Sequence, residues 1–255
     1  MEHAVEQAVR IIRERYAEPL SLDAIACAVL VSKFHLLRVF RQVTGVTPGR
    51  FLSAVRISEA KRLLQNSDLA VAVISSMVGY DSTGSFTSRF TESVGIPPTQ
   101  YRQLSRGEGE FTVRSSAEGQ VDLTHCQLRG VVRAVAKPVS SIYIGSFDGP
   151  ILQGHPSSWT TAEHLGPFVL QQVPRGICYL HATMLAAREQ SLETMLLTAT
   201  LGPMCIDPYV DSEVELVLCP QVWSNPPVLF AAPGFEMLAE QAPQPGFKRL
   251  SSGFK

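Results

Sequence analysis

The chain has 255 residues, 45% of them apolar and 8% aromatic, which suits one large globular domain or two ordinary ones and excludes a disordered chain. The formal net charge of −1 is unevenly divided: residues 1–107 carry 13 Lys and Arg against 9 Asp and Glu, and residues 108–255 carry 9 against 14. That split suggests two units with different partners, the first suited to a polyanion.

No run approaches the roughly 18 apolar residues that cross a bilayer. The start shows no basic segment leading into an apolar one. Cys27, Cys126, Cys178, Cys205 and Cys219 stand apart without a C-x-x-C pair. The expectation is a cytoplasmic protein with no membrane partner, no disulfide framework and no zinc knuckle.

Residues 1–107 read as about seven helices joined by short turns. Val5, Val9, Ile11 and Ile12 recur at helical intervals before Pro19 interrupts. Ser21 is placed to cap a helix over 22–28, and Ser32 to cap the next, whose stripe is Leu36, Val39, Phe40 and Val43 and whose stop is Gly45. A longer helix is expected over 49–65, then shorter ones over 71–77 and 82–94. The short helix, four-residue turn and second helix at 21–43 therefore recur at 71–94. Each ends in a similar stop, "VTGVTP" (43–48) and "SVGIPP" (93–98).

A helix–turn–helix reads DNA because its second helix fits the major groove, where small and polar side chains reach base edges. In the first unit Ser32, Lys33, His35, Arg38 and Arg41 supply hydroxyl, basic and hydrogen-bonding groups, with Phe34 and Phe40 as apolar anchors. In the second, Phe86 and Phe90 face inward at i, i+4 spacing, leaving Ser82, Thr83, Ser85, Ser88 and Arg89 for the groove. Lys33 and Arg41 suit phosphates; His35 and Arg38 suit phosphates or bases, and Arg38 equally suits a carboxylate within the domain. A helix over 49–65 spans roughly 25 Å at about 1.5 Å per residue. It is stiff enough to set two reading helices about one DNA turn (~34 Å) apart.

Two stretches, "SKFHLLRVFRQVTGVTPGRFLSAVRISEAKRLL" (32–64) and "VGYDSTGSFTSRFTESVGIPPTQYR" (78–102), resemble the double helix–turn–helix domain of the AraC/XylS family of transcription regulators. Gly79, Tyr80, Ser85, Phe86, Phe90, Gly95, Pro98, Tyr101 and Arg102 occupy family positions, as do Arg56, Ala60, Leu63 and Leu64 in the connecting helix. Ser75 stands where Ala is usual, Leu37 where a polar residue is common, and Ser88 where Arg is common. The resemblance implies double-stranded DNA as partner and an activator that contacts RNA polymerase.

Beyond "SRGEGE" (105–110), a domain boundary, the pattern becomes alternating and turn-rich: 111–115, 130–136, 140–147, 168–173, 177–183 and 214–218 read as strands of a mainly antiparallel sandwich. Only 189–199 suits a helix, and the tail from Gly234 has no clear pattern. Gly166, Phe168, the turn Val173-Pro174-Arg175-Gly176 and Tyr179 resemble the transthyretin-like, or carboxypeptidase regulatory-like, sandwich. In that reading Phe168, Leu170, Ile177 and Tyr179 pack between strands.

This half would sense a small-molecule effector, form a homodimer or contact other proteins. Tyr143, Trp159 and Trp223 are its candidate ligand-binding residues. A two-lobed α+β effector domain is the alternative fold, and a ligand-binding or scaffold protein with weak DNA affinity the alternative function. His125, His155, His164 and His181, with Cys178 and Asp148, lack metal-ligand spacing. No nucleophile elbow or phosphate loop is present, so no catalytic residue, metal or cofactor is expected.

Overall fold

The structure is a computed structural model and describes residues 2–108, 125–187, 194–207 and 213–231. Seven helices come first: α1 (Glu2–Arg15), α2 (Leu22–Ala28), α3 (Lys33–Thr44), α4 (Pro48–Asn66), α5 (Val71–Met77), α6 (Thr83–Val94) and α7 (Pro98–Ser105). Their boundaries follow from local chemistry. Ser21, Ser32, Thr47 and Ser82 each have extended backbone and accept a hydrogen bond from an N–H of the first helical turn. Such a cap stabilises by about 1 kcal/mol. Pro48 and Pro98 open α4 and α7, where the missing N–H costs nothing. Gly45 and Gly95 close α3 and α6 in the left-handed region, at φ +76° and +95°.

α4 runs through the middle of the helical half. Its Phe51, Leu52, Ala54, Val55, Ile57, Ala60 and Leu64 are buried, facing both helix–turn–helix units. One core joins both units: Phe40 meets Phe51 edge-on at 5.6 Å, and Phe86, Phe90 and Tyr101 continue as a chain of ring contacts.

Seven strands follow: β1 (His125–Ala134), β2 (Ile142–Phe147), β3 (Ser158–Ala162), β4 (Gly166–Pro174), β5 (Gly176–Ala187), β6 (Thr194–Ile206) and β7 (Glu213–Pro220), in the order β3-β2-β5-β6-β7-β1-β4. Every described pairing is antiparallel except β1 with β7. The β6–β7 ladder is only two residue pairs long, so the sheet folds there into a four-stranded and a three-stranded face. The outer edges, β3 and β4, approach one another, and Ser158 Oγ donates to the Gln171 carbonyl. Leu128, Val132, Ile144, Phe168, Leu170, Leu180 and Leu216 fill the space between the faces.

Several expectations for this half change. Thr194–Ala199, read as helical, lies in β6, where pairing with β5 overrides a weak helix preference. Among the described residues after 125 there is no helix. The turn at Pro174–Gly176 does not make a hairpin: β4 pairs with β1, whereas β5 pairs with β2 and β6. Ile177 is 73% exposed, and Tyr179 points away from the core that holds Phe168 and Leu170. The strand expected at 111–115 and the tail from Gly234 fall outside the described residues, as do Gly109 and Glu110 of the boundary segment.

The two halves are fastened together by two segments of the second. The loop 148–155 buries Ile151 in the helical core, and Gly154 N–H donates to the Ser93 carbonyl at 2.6 Å. The strap 221–231 alternates over its last four residues: Leu229 and Ala231 join the helical core, while Val228 and Phe230 pack with Tyr143 and Phe147 of the sheet and Leu152 of the loop. Period-two alternation lets one strand bury both faces. Arg13 donates to the Asn225 carbonyl, Lys61 to that of Leu229, and Ala231 N–H to that of Val94. Each buried Leu or Ile here contributes about 1.5–3 kcal/mol.

Candidate nucleic-acid interface

The two units are built on one hydrogen-bond plan. In the first turn the N–H groups of Val29, Leu30 and Val31 donate to Ile25, Cys27 and Ala26; in the second, those of Val78, Gly79 and Tyr80 donate to Ile74, Ser76 and Ser75. These turns correspond at an offset of 49 residues. From the caps Ser32 and Ser82 to the stops Gly45 and Gly95 the offset is 50, Asp81 being the additional residue. The shared turn residue is left-handed in both, Leu30 at φ +57° and Gly79 at φ +86°.

Gly79 has no room for a side chain. A Cβ there would lie 2.7 Å from the Ala17 carbonyl oxygen and 3.0 Å from the Arg56 guanidinium. Arg56, on α4, donates to the carbonyls of Tyr16 and Glu18 and stacks 5.8 Å from the Tyr80 ring centre. It thereby locks the end of α1 to the turn of the second unit.

The outward face of α3 is a stripe at i, i+3, i+4 and i+7: Phe34, Leu37, Arg38 and Arg41, all exposed. Phe34 is 76% exposed and is therefore not an anchor; the buried side is Leu36, Val39, Phe40 and Thr44. The stripe named from the sequence already lay on the opposite side of the helix from Phe34, and helical spacing alone would have placed this ring outside. Lys33 pairs with Asp23 at 3.2 Å and sits 5.8 Å from the Phe34 ring centre. Arg38 contacts His35 Nδ1 at 3.4 Å rather than a carboxylate. Arg41 has no ion-pair or hydrogen-bond partner among the described residues. Half-buried His35 lies beside the Ser32 cap.

On α6 the exposed groups are smaller. Ser82 Oγ accepts from Ser85 N–H at 3.2 Å and lies 2.9 Å from Ser85 Oγ. Thr83 Oγ1 is 3.4 Å from Oγ of buried Ser75, so the Ser75 hydroxyl reaches toward the start of α6. Ser88 is exposed, and Arg89 pairs with Glu92 at 2.9 Å. Exposed pairs of this kind are worth at most about 1 kcal/mol, so Lys33 and Arg89 can exchange their carboxylates for phosphates.

Tyr143 and Trp159, stacked at 5.8 Å, are packed with Phe147 and Phe230 inside the sheet half, their Oη and Nε1 atoms buried without hydrogen-bond partners among the described residues. Trp223 is elsewhere, against the helical core. Cys178 packs inside the sheet, where burial raises its thiol pKa to about 11. His181 faces the other way. Its Nε2 donates to the Gly149 carbonyl at 2.9 Å and its Nδ1 accepts from Thr200 Oγ1 at 3.0 Å. Burial lowers the His181 pKa to about 4, which keeps the ring neutral, and the Gly149 carbonyl, able only to accept, fixes the tautomer. Among the described residues no group of three or more His, Cys, Asp or Glu could hold a metal ion, and no helix is long and apolar enough to cross a membrane.

Residues 25–104, the span that holds both units, match the family described as helix-turn-helix domain. The HTH-type transcriptional activator AarP of Providencia stuartii is 41% identical over 92 residues, which cover 36% of this chain and 68% of that protein. The MmsAB operon regulatory protein of Pseudomonas aeruginosa is 36% identical over 99 residues, 38% of this chain and 32% of that protein. A transcriptional regulator from Chromobacterium violaceum, with an AraC-type DNA-binding domain, has a solved structure 30% identical to this chain. It has a TM-score of 0.40 and covers 42% of this chain and 96% of that one. The chain belongs to the AraC family of helix-turn-helix transcription regulators. It spans about a third of the length of relatives such as the Pseudomonas protein.

Proposed function

We propose that this protein is a sequence-specific transcription regulator that lays α3 and α6 into two successive major-groove segments of one DNA duplex. The observation that carries this reading is the pair of capped helices, built on one hydrogen-bond plan and joined by α4, whose outward faces are left uncovered by the rest of the described chain. At 19 residues α4 is about 28 Å long at ~1.5 Å per residue, suited to a separation near one DNA turn.

Within this reading, Ser32 and Ser82 and the first N–H groups of each helix approach phosphates, which attract the positive ends of helices. Lys33, Arg41 and Arg89 add cations. Arg38 and His35 reach phosphate or base edges; Thr83, Ser85 and Ser88 accept from or donate to bases. Phe34 and Leu37 supply the apolar contact that the thymine methyl group offers in the major groove. The sheet half senses or oligomerises, and RNA polymerase is the further partner of an activator.

The test is a mobility-shift series on the intact protein with genomic fragments, repeated over salt. Binding should weaken linearly in log–log form. Lys33→Ala should weaken all sequences alike and reduce the salt slope by about 0.9. No duplex binding at low ionic strength, or a Lys33→Ala effect confined to a few base variants, would overturn the assignment.

A further inference from the structure

A cleft of about 360 Å³ lies where the C-terminal end of α3 faces the sheet and the strap. Its size falls at the lower end of the range for small-molecule sites, roughly 300–1,000 Å³. Arg41 and Thr44 form its helical wall, Tyr179 and Thr198 its sheet wall, and Gln221 and Pro226 part of its strap wall.

The charge pattern of this cleft is simple. Arg41 is the one charged residue among those that line it, and no carboxylate offsets it. The other cations of α3 are in contact with neighbours, Lys33 with Asp23 and Arg38 with His35, whereas the Arg41 guanidinium has no partner among the described residues. His181, on the sheet wall, adds no charge, because burial keeps its ring neutral, and both ring nitrogens are taken up by Gly149 and Thr200. The remaining wall is largely prolines with Leu152 and Val228, which accept an apolar body but bind no ion. The negative end of the α3 dipole, about half a charge, is weaker than one full guanidinium charge. The Arg41 carbonyl near that end moreover accepts from Gly45 N–H, and the Phe40 carbonyl from Thr44 Oγ1.

We propose that this junction cleft binds a small organic carboxylate, its carboxylate forked by Arg41 and its apolar body held between the prolines of the sheet and the strap. A guanidinium meets a carboxylate through two parallel N–H···O bonds, a geometry Lys cannot reproduce. Arg41 also belongs to the outward stripe of the reading helix. A carboxylate that takes Arg41 removes one phosphate-neutralising cation, so ligand and DNA oppose each other. By linkage, each lowers the affinity of the other by the same factor. This coupling rests on the DNA-binding reading above; the ligand site does not.

The intact protein is titrated by calorimetry with 3-phenylpropanoate and hexanoate, with their primary amides, and with inorganic phosphate, while amide NMR locates the response. Binding of the acids with the amides at least ~10-fold weaker, and loss of at least ~10-fold in Arg41→Gln with partial retention in Arg41→Lys, supports the site. Thr198→Phe, which fills the cleft and leaves Arg41 in place, should abolish binding; thermal melts confirm that each variant is folded. Amides binding as well as acids, Arg41→Gln binding as well as the parent, shifts confined to residues away from the cleft, or no binding of either acid overturns the proposal. Phosphate binding as tightly as the acids overturns the requirement for an apolar body.

DNA affinity is then measured with and without saturating acid. A fall in affinity supports the coupling, and unchanged affinity overturns the coupling while leaving the carboxylate site in place. Absence of any duplex binding counts against the regulator reading alone, because calorimetry still reports the ligand.

Discussion

Laid over one another at an offset of 50 residues, α3 and α6 share their caps, their stops and two buried rows, Leu36 with Phe86 and Phe40 with Phe90. Their outward stripes have nothing in common. Where α3 carries Phe34, Leu37, Arg38 and Arg41, α6 carries Gly84, Thr87, Ser88 and Thr91, and Thr91 turns its hydroxyl back to the Thr87 carbonyl. The backbone plan is thus set by residues that never face outward, and the outward residues are free to differ. The first unit combines strong cations with apolar surface. The second offers hydroxyls, which pair with donors or acceptors alike and discriminate weakly. Most of the affinity should come from the first unit.

The largest expected effect concerns the two turns. Gly79→Ala should destabilise by on the order of 2–4 kcal/mol, because left-handed backbone and the Ala17 carbonyl both oppose a Cβ. At the equivalent place in the first unit, Leu30 is left-handed and 92% exposed, so Leu30→Gly should stabilise by about 1 kcal/mol. Urea midpoints of both variants decide this; a stable Gly79→Ala would mean that the second turn accepts a side chain as readily as the first.

The next effect is on DNA affinity. Arg38→Ala should cost roughly 10- to 100-fold, or about 1–3 kcal/mol, and Phe34→Ala a loss concentrated at sites rich in thymine. Ser85→Ala should cost only a few-fold, near 0.5–1 kcal/mol, and only at selected bases. Equal losses from the two units in a mobility-shift comparison would remove the asymmetry. Finally, Ser88→Arg places a guanidinium at the position equivalent to Arg38 and should raise affinity several-fold while steepening the salt dependence by about 0.9. No gain would show that α6 does not lie in the groove.

The helical half could be read from sequence because its signals are local. Ser32 and Gly45 mark their helix within a turn of where it starts and stops, and the repeat at Ser82 and Gly95 supplies a second copy of the same evidence. Phe34 reads as core from its aromatic ring and apolar neighbours, although its angular position on α3, opposite Leu36 and Phe40, puts it outside.

In the sheet half the deciding interactions are distant in sequence. Nothing near Thr194 indicates that β6 will pair with β5, and nothing near Glu213 indicates a parallel partner in β1. The strap escaped notice for a related reason. A short run of Pro and apolar residues, "NPPVLFA", looks like a loop until two separate surfaces are available to cover its two sides. The candidate site was legible for its polar residues, but Arg41's position at a cleft depends on Thr198 and Pro226, 157 and 185 residues further along the chain.

Gly154 grips the last turn of α6, and Pro150 and Leu152 face the end of α3 across the cleft, so a single loop of the sheet half lies near the far ends of both helices. For a regulator this sets a phase requirement. Adding one base pair between the two contacted segments rotates one of them by about 34° around the duplex, given roughly 10.5 base pairs per turn. A pair of helices fixed to one core through α4 cannot follow that rotation cheaply, whereas tethering by a supple linker would tolerate it. Promoters that answer to this protein should therefore hold the interval between their two recognition words constant, even where the letters of those words drift.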